Sequence, residues 1–451
     1  MAAYNRTGNT AVSPSASGRM RSSAGTPYRA YPERRVSDQR DPRNAVRTGR
    51  NIPREARLRT GDKVMTEPVG KPRYYYDYSL FFAVIFMFAL GLLIIYSSSQ
   101  YTASLEKHNG SYYFTRQLFI GSVGLVGAVI LSLFDYRLFA RILNGAAVNI
   151  IYWVSVGLLV MTLVMGIASH GKARWISIAG VSFQPAEVAK IALILFLGYF
   201  ISVHGPATKK RKNLLRAIFF SSIPTLLILK QNISSAVIVA VIAAVMIFVA
   251  IDEIKFFAVM GTIGVAGMIS AKPLIRMFLE KTGYTQRPEQ YYLRRILGWA
   301  APELFPDDAY QTIQSLYAIG SGGLTGHGLG ESIQKFGKIP EVQNDMIFSI
   351  VCEEFGFIGA ATLIILFIYI IYRIYQIAVN ADDLFGTMIC TGVMAHLGAQ
   401  VVFNIAVVTG VMPNTGVTLP FISYGGSAIL FTMAEIGLVL SVAHKIKIGE
   451  R

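Results

Sequence analysis

Ten runs of predominantly apolar residues, each near the length that crosses a bilayer, dominate the sequence from residue 79 onwards. A transmembrane helix needs about 20 such residues, because in hydrocarbon a helix must bond its own backbone polar groups. With 53% hydrophobic and only 15% charged residues in 451, the chain is too apolar for one soluble domain. The sequence therefore predicts an all-α polytopic membrane protein with about ten transmembrane helices. The predicted spans cover residues 79–99, 117–134, 145–166, 188–203, 213–229, 233–251, 256–272, 346–372, 384–408 and 426–444.

Positive charge in the short connections orients these spans. Arg137 and Arg141 follow the second span, a basic run covers residues 209–216 after the fourth, and a basic segment at 444–451 closes the chain. Lys and Arg are enriched in cytoplasmic loops of membrane proteins. We therefore expect both termini in the cytoplasm, and an even number of spans agrees with this.

The residues before the first span form a segment of different composition. Residues 1–73 hold 16 Lys or Arg against 6 Asp or Glu and are rich in Ser, Pro and Gly. Such composition predicts disorder, so residues 1–74 are interpreted as a disordered basic cytoplasmic tail preceding a membrane domain at 75–451. No folded basic module accompanies the charge, which disfavours nucleic acid as a partner. Attraction to anionic lipid or to an acidic segment of a partner, and a simple role in fixing topology, both remain open.

The sequence predicts neither a disulfide nor a metal centre. Cys352 and Cys390 both fall inside predicted spans, and no Cys and His spacing typical of a metal site occurs. We therefore expect no resident metal and no catalytic thiol.

The segment between the seventh and eighth spans, residues 272–345, is much longer than a connection between neighbouring helices requires. On the predicted topology it is a large extracytoplasmic loop. Its aromatic and Arg-rich stretch at 291–305 is typical of a segment in the membrane interface. The glycine-rich stretch at 318–334 lacks the preceding strand of a nucleotide loop, so its glycines are expected to allow tight turns or close approach to a ligand.

Three carboxylates occur where the eighth span begins. Asp345 is predicted at its outer mouth, whereas Glu353 and Glu354 would lie about 12–13 Å deeper at about 1.5 Å per helical residue. The three therefore cannot act as one cluster. Ionisable groups inside a membrane usually need partners, so Glu353 and Glu354 are predicted to be structural or orienting. Asp345, which water and lipid headgroups can reach, is the better candidate for chemistry.

Two further outer segments carry complementary groups. Residues 171–190 contain Arg174, Gln184, Glu187 and Lys190, and Glu187 and Lys190 are three residues apart on one predicted helix face. An ordinary ion pair at a helix start is the alternative interpretation of that spacing. Residues 409–428 interrupt a long apolar stretch with two prolines and four glycines. Irregular backbone at membrane depth is tolerated where it lines a cavity, which predicts a re-entrant, cavity-lining loop.

Four ordered motifs resemble one known family of membrane proteins. They are RWISIAGVSFQPAEVAK, GSGGLTGHGLG, IPEVQNDMIFSIVCEEFGFIG and GVMPNTGVTLPFISYGGSA. Together they resemble the signatures of the SEDS (shape, elongation, division and sporulation) family over residues 75–445. The PFISYGGS stretch is more similar to the cell-division and sporulation branch, FtsW and SpoVE, than to the rod-shape branch, RodA.

The resemblance implies a peptidoglycan glycosyltransferase that polymerises lipid II at the outer face of the bacterial cytoplasmic membrane. It implies a class B penicillin-binding protein as partner, besides other division proteins and membrane lipids. Asp345 matches the essential acidic residue of the family and is the predicted catalytic base. No cofactor is required by the sequence, and Mg²⁺ or Mn²⁺ at the diphosphate stays open. The predicted substrate-binding residues are Arg174, Gln184, Glu187, Lys190, Ser423 and Gly425, and the predicted structural residues are Glu353, Glu354 and Pro420.

Two departures from the family pattern and two competing functions accompany this interpretation. Gln231 and Asn232 replace a Pro-Asp pair, and Gln343 and Asn344 replace a histidine-containing pair before Asp345. A lipid II flippase would also use about ten spans and broken helices, but it needs polar groups along a path through the membrane. A non-catalytic division scaffold is the other alternative, and it predicts that Asp345 is dispensable.

Overall fold

A computed structural model describes residues 73–74, 76–165, 167–169, 172–178, 181–251 and 254–448. The predicted disordered tail therefore lies outside the described residues, apart from its last two positions. Within these ranges the chain is mainly helical. The helices are α1 (Tyr78–Lys107), α2 (Tyr112–Leu133), α3 (Arg137–Arg141), α4 (Ala146–Met165), α5 (Pro185–His204), α6 (Arg211–Gln231), α7 (Ile233–Ile251), α8 (Ile254–Thr282), α9 (Tyr291–Ala300), α10 (Pro306–Ser321), α11 (Ile347–Val379), α12 (Leu384–Val408) and α13 (Gly426–His444).

The strands are few and short. β1 (Arg73–Tyr74) pairs antiparallel with β5 (Lys447–Ile448), which joins the two ends of the described chain. β2 (Ile167–Ser169), β3 (Lys172–Ile178) and β4 (Val181–Phe183) form a small antiparallel sheet between α4 and α5. This hairpin-like sheet holds the first of the predicted polar segments.

Ten of the described helices are long and apolar enough to cross a membrane. They are α1, α2, α4, α5, α6, α7, α8, α11, α12 and α13, in the order predicted from the sequence. The all-α polytopic fold is thus confirmed, and the protein is a multi-pass membrane protein. The end of the bundle where α2, α5, α11 and α13 begin and α12 ends is called the cavity end below.

Some helices extend beyond their predicted spans. α8 was predicted to end at 272 but continues to Thr282, through Pro273. Its extension is amphipathic, and Leu279 packs with Leu297 and Phe305 of the following segment in a small apolar cluster. A span defined by hydropathy ends where polar residues begin, whereas the helix ends where this packing ends. The connection between α8 and α11 is therefore shorter than predicted, and it contains α9 and α10.

The glycine-rich stretch packs against the backbone of α11 rather than forming a ligand loop of its own. α11 is kinked at Gly356, whose φ is 64°, and its carbonyl groups near the kink accept bonds from this stretch. His327 N and Gly328 N donate to the carbonyls of Glu353 and Glu354 at 3.0 and 2.9 Å. A Cβ at position 326 would lie 2.2 Å from the Glu354 carbonyl oxygen, so only glycine allows this approach.

Close glycine contacts also hold α1 against the loop between α12 and α13. A Cβ on Gly91 would lie 2.2 Å from the backbone oxygen of Phe421, and Phe421 itself has a φ of 63°. The contact joins two backbones, so a flexible side chain cannot yield to relieve the overlap. The loop from residue 409 to residue 425 is consequently set by the surface of α1.

We predict that Gly91→Ala destabilises the protein by about 1–3 kcal/mol, the usual cost of overpacking a tight core. Gly127→Ala is the matched control, because a Cβ at this helical position meets nothing within 4 Å. Thermal unfolding of both variants in one detergent measures the difference. Equal stability of the two variants would contradict the close packing of α1 on the loop.

Candidate active site

A cavity of about 1010 Å³ lies at the cavity end, between helices that are distant in sequence. Its walls come from α2, the β3 to β4 sheet, α5, the start of α7, α9, α10 and the loop at 409–425. The cavity has an apolar side that includes Phe119, Ile120, Val123, Leu430 and Phe431. Such a shape suits a ligand with both a polar group and a hydrocarbon chain.

Asp345 lies in this cavity, two residues before α11 begins. It is 7% exposed, and its backbone carbonyl accepts a hydrogen bond of 2.7 Å from Nδ2 of Asn404. The same Nδ2 donates to the carbonyl of Val417 at 2.7 Å. Gln311 Nε2 lies 3.5 Å from the carboxylate Oδ1. The backbone of Asp345 is therefore anchored, while its carboxylate faces the cavity.

A chain of polar contacts continues from Gln311 to a cation. Asn414 Nδ2 donates to Gln311 Oε1 at 2.6 Å, and Arg295 Nη1 donates to the Asn414 carbonyl at 3.2 Å. The Arg295 guanidinium also lies 4.4 Å from the centroid of the Tyr291 ring, a cation–π contact. These contacts hold Arg295 at the cavity wall next to Asp345.

Gly416 lies beside both that cation and the carboxylate. Its φ is 73°, and a Cβ there would lie 3.8 Å from both Arg295 Nη1 and Asp345 Oδ2. A side chain at this position would thus contact both charged groups. Glycine at this position adopts the left-handed backbone conformation without strain and places no side chain beside the carboxylate.

Two phenols in the cavity wall stay protonated. Burial raises the pKa of Tyr291, although the nearby Arg295 and Arg174 lower it in part. Burial likewise raises the pKa of Tyr424, against the opposing effect of Arg116. Both hydroxyls therefore remain neutral at physiological pH and are able to donate hydrogen bonds to an anion.

The opposite wall carries the polar group predicted from residues 171–190. Arg174 on β3 donates from Nε to the carbonyl of Gln231 at 3.2 Å. At the start of α5, Lys190 Nζ lies 2.8 Å from Glu187 Oε2, which matches the predicted pair on one helix face. Arg174, Gln184, Glu187 and Lys190 all line the cavity that contains Asp345.

Two ionisable residues behind this wall were missed by the sequence analysis. His396 Nε2 lies 2.8 Å from Lys190 Nζ, and His396 Nδ1 lies 2.7 Å from Glu435 Oε2. Both residues lie inside spans predicted from hydropathy. The signal was present, because an ionisable side chain inside a transmembrane span is itself a candidate functional group.

The predicted residues of the loop at 409–425 do not all reach the cavity. Gly425 lines the cavity, but the structure does not bring Ser423 to the cavity wall. The Ser423 hydroxyl accepts a 2.7 Å bond from Leu419 N, and its carbonyl accepts a 3.3 Å bond from Gln117. Buried Pro420 precedes the strained Phe421. Ser423 and Pro420 thus shape the loop from within.

Glu353 and Glu354 lie apart from Asp345 and contact the segment before α11. Glu353 accepts from the hydroxyl of Ser332 and, at 2.9 Å, from the backbone N of Ile333. Glu354 Oε1 lies 2.9 Å from Lys335 Nζ and accepts a 2.6 Å bond from Ser97. The lysine supplies the nearby cation that a buried carboxylate needs.

The four positions that depart from the family pattern have definite contacts. The Gln231 carbonyl accepts from Arg174, and Asn232 Oδ1 accepts a 3.0 Å bond from Ser234 N at the start of α7. The Gln343 carbonyl accepts a 2.8 Å bond from Tyr424 N. Asn344 lines the cavity beside Asp345. These amides support the site through the backbone and add no charge to it.

Four cations and three carboxylates line the cavity, so a ligand meets a mixed but slightly positive surface. The cations are Arg116, Arg174, Lys190 and Arg295, and the carboxylates are Glu187, Glu341 and Asp345. Cations stabilise a phosphate or diphosphate through charge-assisted hydrogen bonds, and a carboxylate in the same cavity is a group able to accept a proton. The arrangement is suited to group transfer from a phosphorylated lipid.

Comparison with known proteins gives consistent matches over this same region. The family model of the cell cycle proteins FtsW, RodA and SpoVE matches residues 78–448. A probable peptidoglycan glycosyltransferase FtsW of Trichlorobacter lovleyi is 34% identical over 383 residues, covering 83% of this chain and 94% of that protein. Stage V sporulation protein E of Bacillus subtilis is 33% identical, covering 82% and 97%.

Solved structures resemble the fold as well. A chain from a peptidoglycan synthase complex that coordinates polymerisation and crosslinking matches with a TM-score of 0.64 and 27% identity, over 82% of this chain and 97% of its own. The rod shape determining protein RodA of Thermus thermophilus matches with a TM-score of 0.57 and 26% identity, over 82% and 97%. The cavity described above lies within the matched region.

We predict that Lys335→Met destabilises the protein by about 3–5 kcal/mol, because it leaves the buried Glu354 carboxylate unpaired. Adding Glu354→Gln should recover part of that loss. Glu303→Gln, in the exposed pair with Arg276, is the control and should change stability by less than about 1 kcal/mol. Chemical or thermal unfolding in detergent gives the comparison. A double variant no more stable than Lys335→Met alone would argue against the pairing.

Proposed function

Because the chain belongs to the FtsW, RodA and SpoVE family of cell cycle proteins, we propose that it is a peptidoglycan glycosyltransferase that polymerises lipid II into glycan strands. One observation carries the proposal. A single cavity combines an anchored carboxylate, Asp345, with several cations and an apolar wall. Lipid II has the matching parts, namely sugars, a diphosphate and a polyprenyl chain.

Asp345 is the proposed general base. It takes the proton from the 4-hydroxyl of the acceptor GlcNAc while that oxygen attacks C1 of the donor MurNAc. The new C1–O4 bond forms as the bond from C1 to the phosphate oxygen breaks, and the electron pair leaves with undecaprenyl diphosphate. Attack opposite the leaving group inverts C1. A positioned carboxylate suits this proton transfer.

Arg174 and Lys190 are the proposed contacts of the leaving diphosphate. Fixed cations in a site with little water stabilise the charge that develops on the leaving group. Gln184, Glu187 and Gly425, on the same wall, are proposed to position the substrate. The mechanism requires no cofactor, and Mg²⁺ or Mn²⁺ could accompany the diphosphate, whose oxygens suit either ion.

The proposed setting is the bacterial cytoplasmic membrane, with both termini in the cytoplasm and the cavity at the outer face. The basic connections at 137–141 and 209–216 support this orientation through the excess of Lys and Arg in cytoplasmic loops. The proposed partner is a class B penicillin-binding protein that cross-links the product, together with other division proteins. The similar chain in a complex coordinating polymerisation and crosslinking supports such a partner.

The protein is proposed to belong to the FtsW and SpoVE branch, which covers a role in division or in sporulation. Its relatives include both a probable FtsW and a stage V sporulation protein, at 34% and 33% identity. The proposed chemistry of the cavity is the same for either process.

We predict that Asp345→Asn lowers lipid II polymerisation about 100- to 10,000-fold, the usual contribution of a positioned base. The assay uses labelled lipid II and the full chain with its cognate transpeptidase, whose own active serine is replaced. Asp307→Asn is the control, because Asp307 is an exposed carboxylate 82% accessible in the same segment.

Strands formed by the wild type and the control but not by Asp345→Asn support the mechanism. Unchanged polymerisation by a folded Asp345→Asn protein would show that Asp345 is not the general base. Strands from none of the complexes would instead favour the flippase or the scaffold.

A further inference from the structure

Four buried ionisable side chains form a continuous chain from the cavity wall into the bundle. Glu187 and Lys190 on α5 line the cavity, while His396 on α12 and Glu435 on α13 lie behind them. The contacts Glu187 to Lys190, Lys190 to His396 and His396 to Glu435 measure 2.8, 2.8 and 2.7 Å. None of the four residues is more than 7% exposed.

This row of four ionisable groups costs desolvation free energy, which a function would explain. Each ionisable group inside a transmembrane helix carries a desolvation cost, and a well-packed apolar core of the same volume is often equally stable. Lys190 already has a carboxylate partner in Glu187 at 2.8 Å. The pair of His396 and Glu435 therefore adds something other than charge balance for the lysine.

The positions of the protons follow from the donors and acceptors. An ammonium group only donates, so His396 Nε2 must accept from Lys190 Nζ. His396 Nδ1 then carries the proton and donates to Glu435 Oε2. The imidazole is neutral in this state, and the four groups together carry one negative charge. Two of the three ammonium protons of Lys190 are used by Glu187 and His396, and one is left for the cavity.

The other helices packed around α12 bring no further charged contact to His396 in the described part of the chain. α7 contains no titratable side chain, and on α11 Glu353 and Glu354 turn instead toward residues 332–335 and Ser97. α10 meets α12 at its far end, where Ser315 donates to the Val408 carbonyl at 2.9 Å. Among the described residues, the charged contacts of His396 are thus Lys190 and Glu435.

We propose that His396 and Glu435 are positioning residues for Lys190, and that His396 takes up a proton when a polyprenyl diphosphate binds in the cavity. The proposal rests on the proposed function and deepens it. It makes the binding of the diphosphate by Lys190 depend on the protonation of His396 beside Glu435. Nε2 of a protonated imidazole donates and no longer accepts. Lys190 then loses its bond to His396 and turns its ammonium toward Glu187 and the ligand.

Charge and linkage both favour this coupling. The proton changes the total charge of the four groups from one negative to zero, which removes repulsion against an anionic ligand. By reciprocity, a ligand that binds the protonated protein more tightly must raise the affinity of the protein for that proton. Loss of the proton restores the bond between Lys190 and His396 and weakens the grip, so the same pair favours release of undecaprenyl diphosphate after transfer.

His396→Gln separates proton binding from hydrogen bonding. The glutamine Oε1 is able to accept from Lys190 and its Nε2 to donate to Glu435, but the amide does not titrate. Calorimetric binding of farnesyl diphosphate, a soluble short-chain probe, is measured on the full-length protein in nanodiscs. Buffers of different ionisation enthalpy report the protons taken up, from about pH 5 to pH 8, where imidazole titrates.

The wild type is expected to take up about one proton more per ligand than His396→Gln within that range, by the linkage above. Its dissociation constant should then vary with pH by up to about tenfold more per pH unit than that of the variant. The probe's own titration is common to both proteins and cancels. Equal proton uptake and equal pH dependence in the two proteins would overturn the proposal.

Glu435→Gln keeps an acceptor for His396 Nδ1 but removes the charge that favours a protonated imidazole. Proton uptake per bound ligand should then be smaller than in the wild type, which provides a second test if His396→Gln does not fold. Uptake equal to that of the wild type would overturn the role of Glu435. Thr391→Val is the control on α12, since its hydroxyl only donates to the Thr387 carbonyl at 2.8 Å, and it should behave as the wild type.

The readout also separates this inference from the proposed function. Wild-type polymerisation of lipid II with identical proton uptake in wild type and His396→Gln leaves the enzyme intact and rejects the linkage. Proton-linked binding of the probe without any polymerisation would retain the linkage and reject the glycosyltransferase.

Discussion

The side-chain amide of Asn404 holds the two halves of the cavity together. Its Nδ2 donates at 2.7 Å both to the carbonyl of Asp345 and to that of Val417. One donor near the end of α12 thus ties the start of α11 to the irregular loop that precedes α13. Backbone carbonyls buried in a membrane bundle must be bonded, and without this amide two of them would lose a partner together. The place of Asp345 relative to Gly416 and Arg295 depends on that contact.

The ionisable groups of the bundle divide into two kinds according to their surroundings. Glu353 and Glu354 form hydrogen bonds with residues 332–335 and Ser97. These bonds hold the glycine-rich segment against the kinked α11. Asp345 and Lys190 instead line the cavity. The separation follows from the kink at Gly356 and the close glycine approach, which bury the glutamates while the residues before α11 remain at the cavity.

The sequence analysis succeeded where the signal is local. Runs of apolar residues predicted the membrane spans, and the spacing of Glu187 and Lys190 predicted one helix face, because helix geometry relates near neighbours. From helical rise alone it also predicted that Asp345 lies apart from the two glutamates, and of the three only Asp345 lines the cavity. It missed the end of α8, since amphipathic packing against Leu297 prolongs a helix beyond its apolar run. It also assigned Ser423 to the substrate, whereas its hydroxyl bonds Leu419 N within the loop.

The sequence by itself determined the number of spans, the segments that interrupt them and the carboxylate that begins the eighth, because bilayer thickness and helical rise act on consecutive residues. Only the tertiary structure decided which polar groups meet. Arg295, Asn414 and Gln311 reach one another from α9, the loop at 409–425 and α10. His396 meets Lys190 and Glu435 across three helices. Hydropathy shows that a helix crosses the membrane, but the face it turns inward depends on packing against helices far away in the chain.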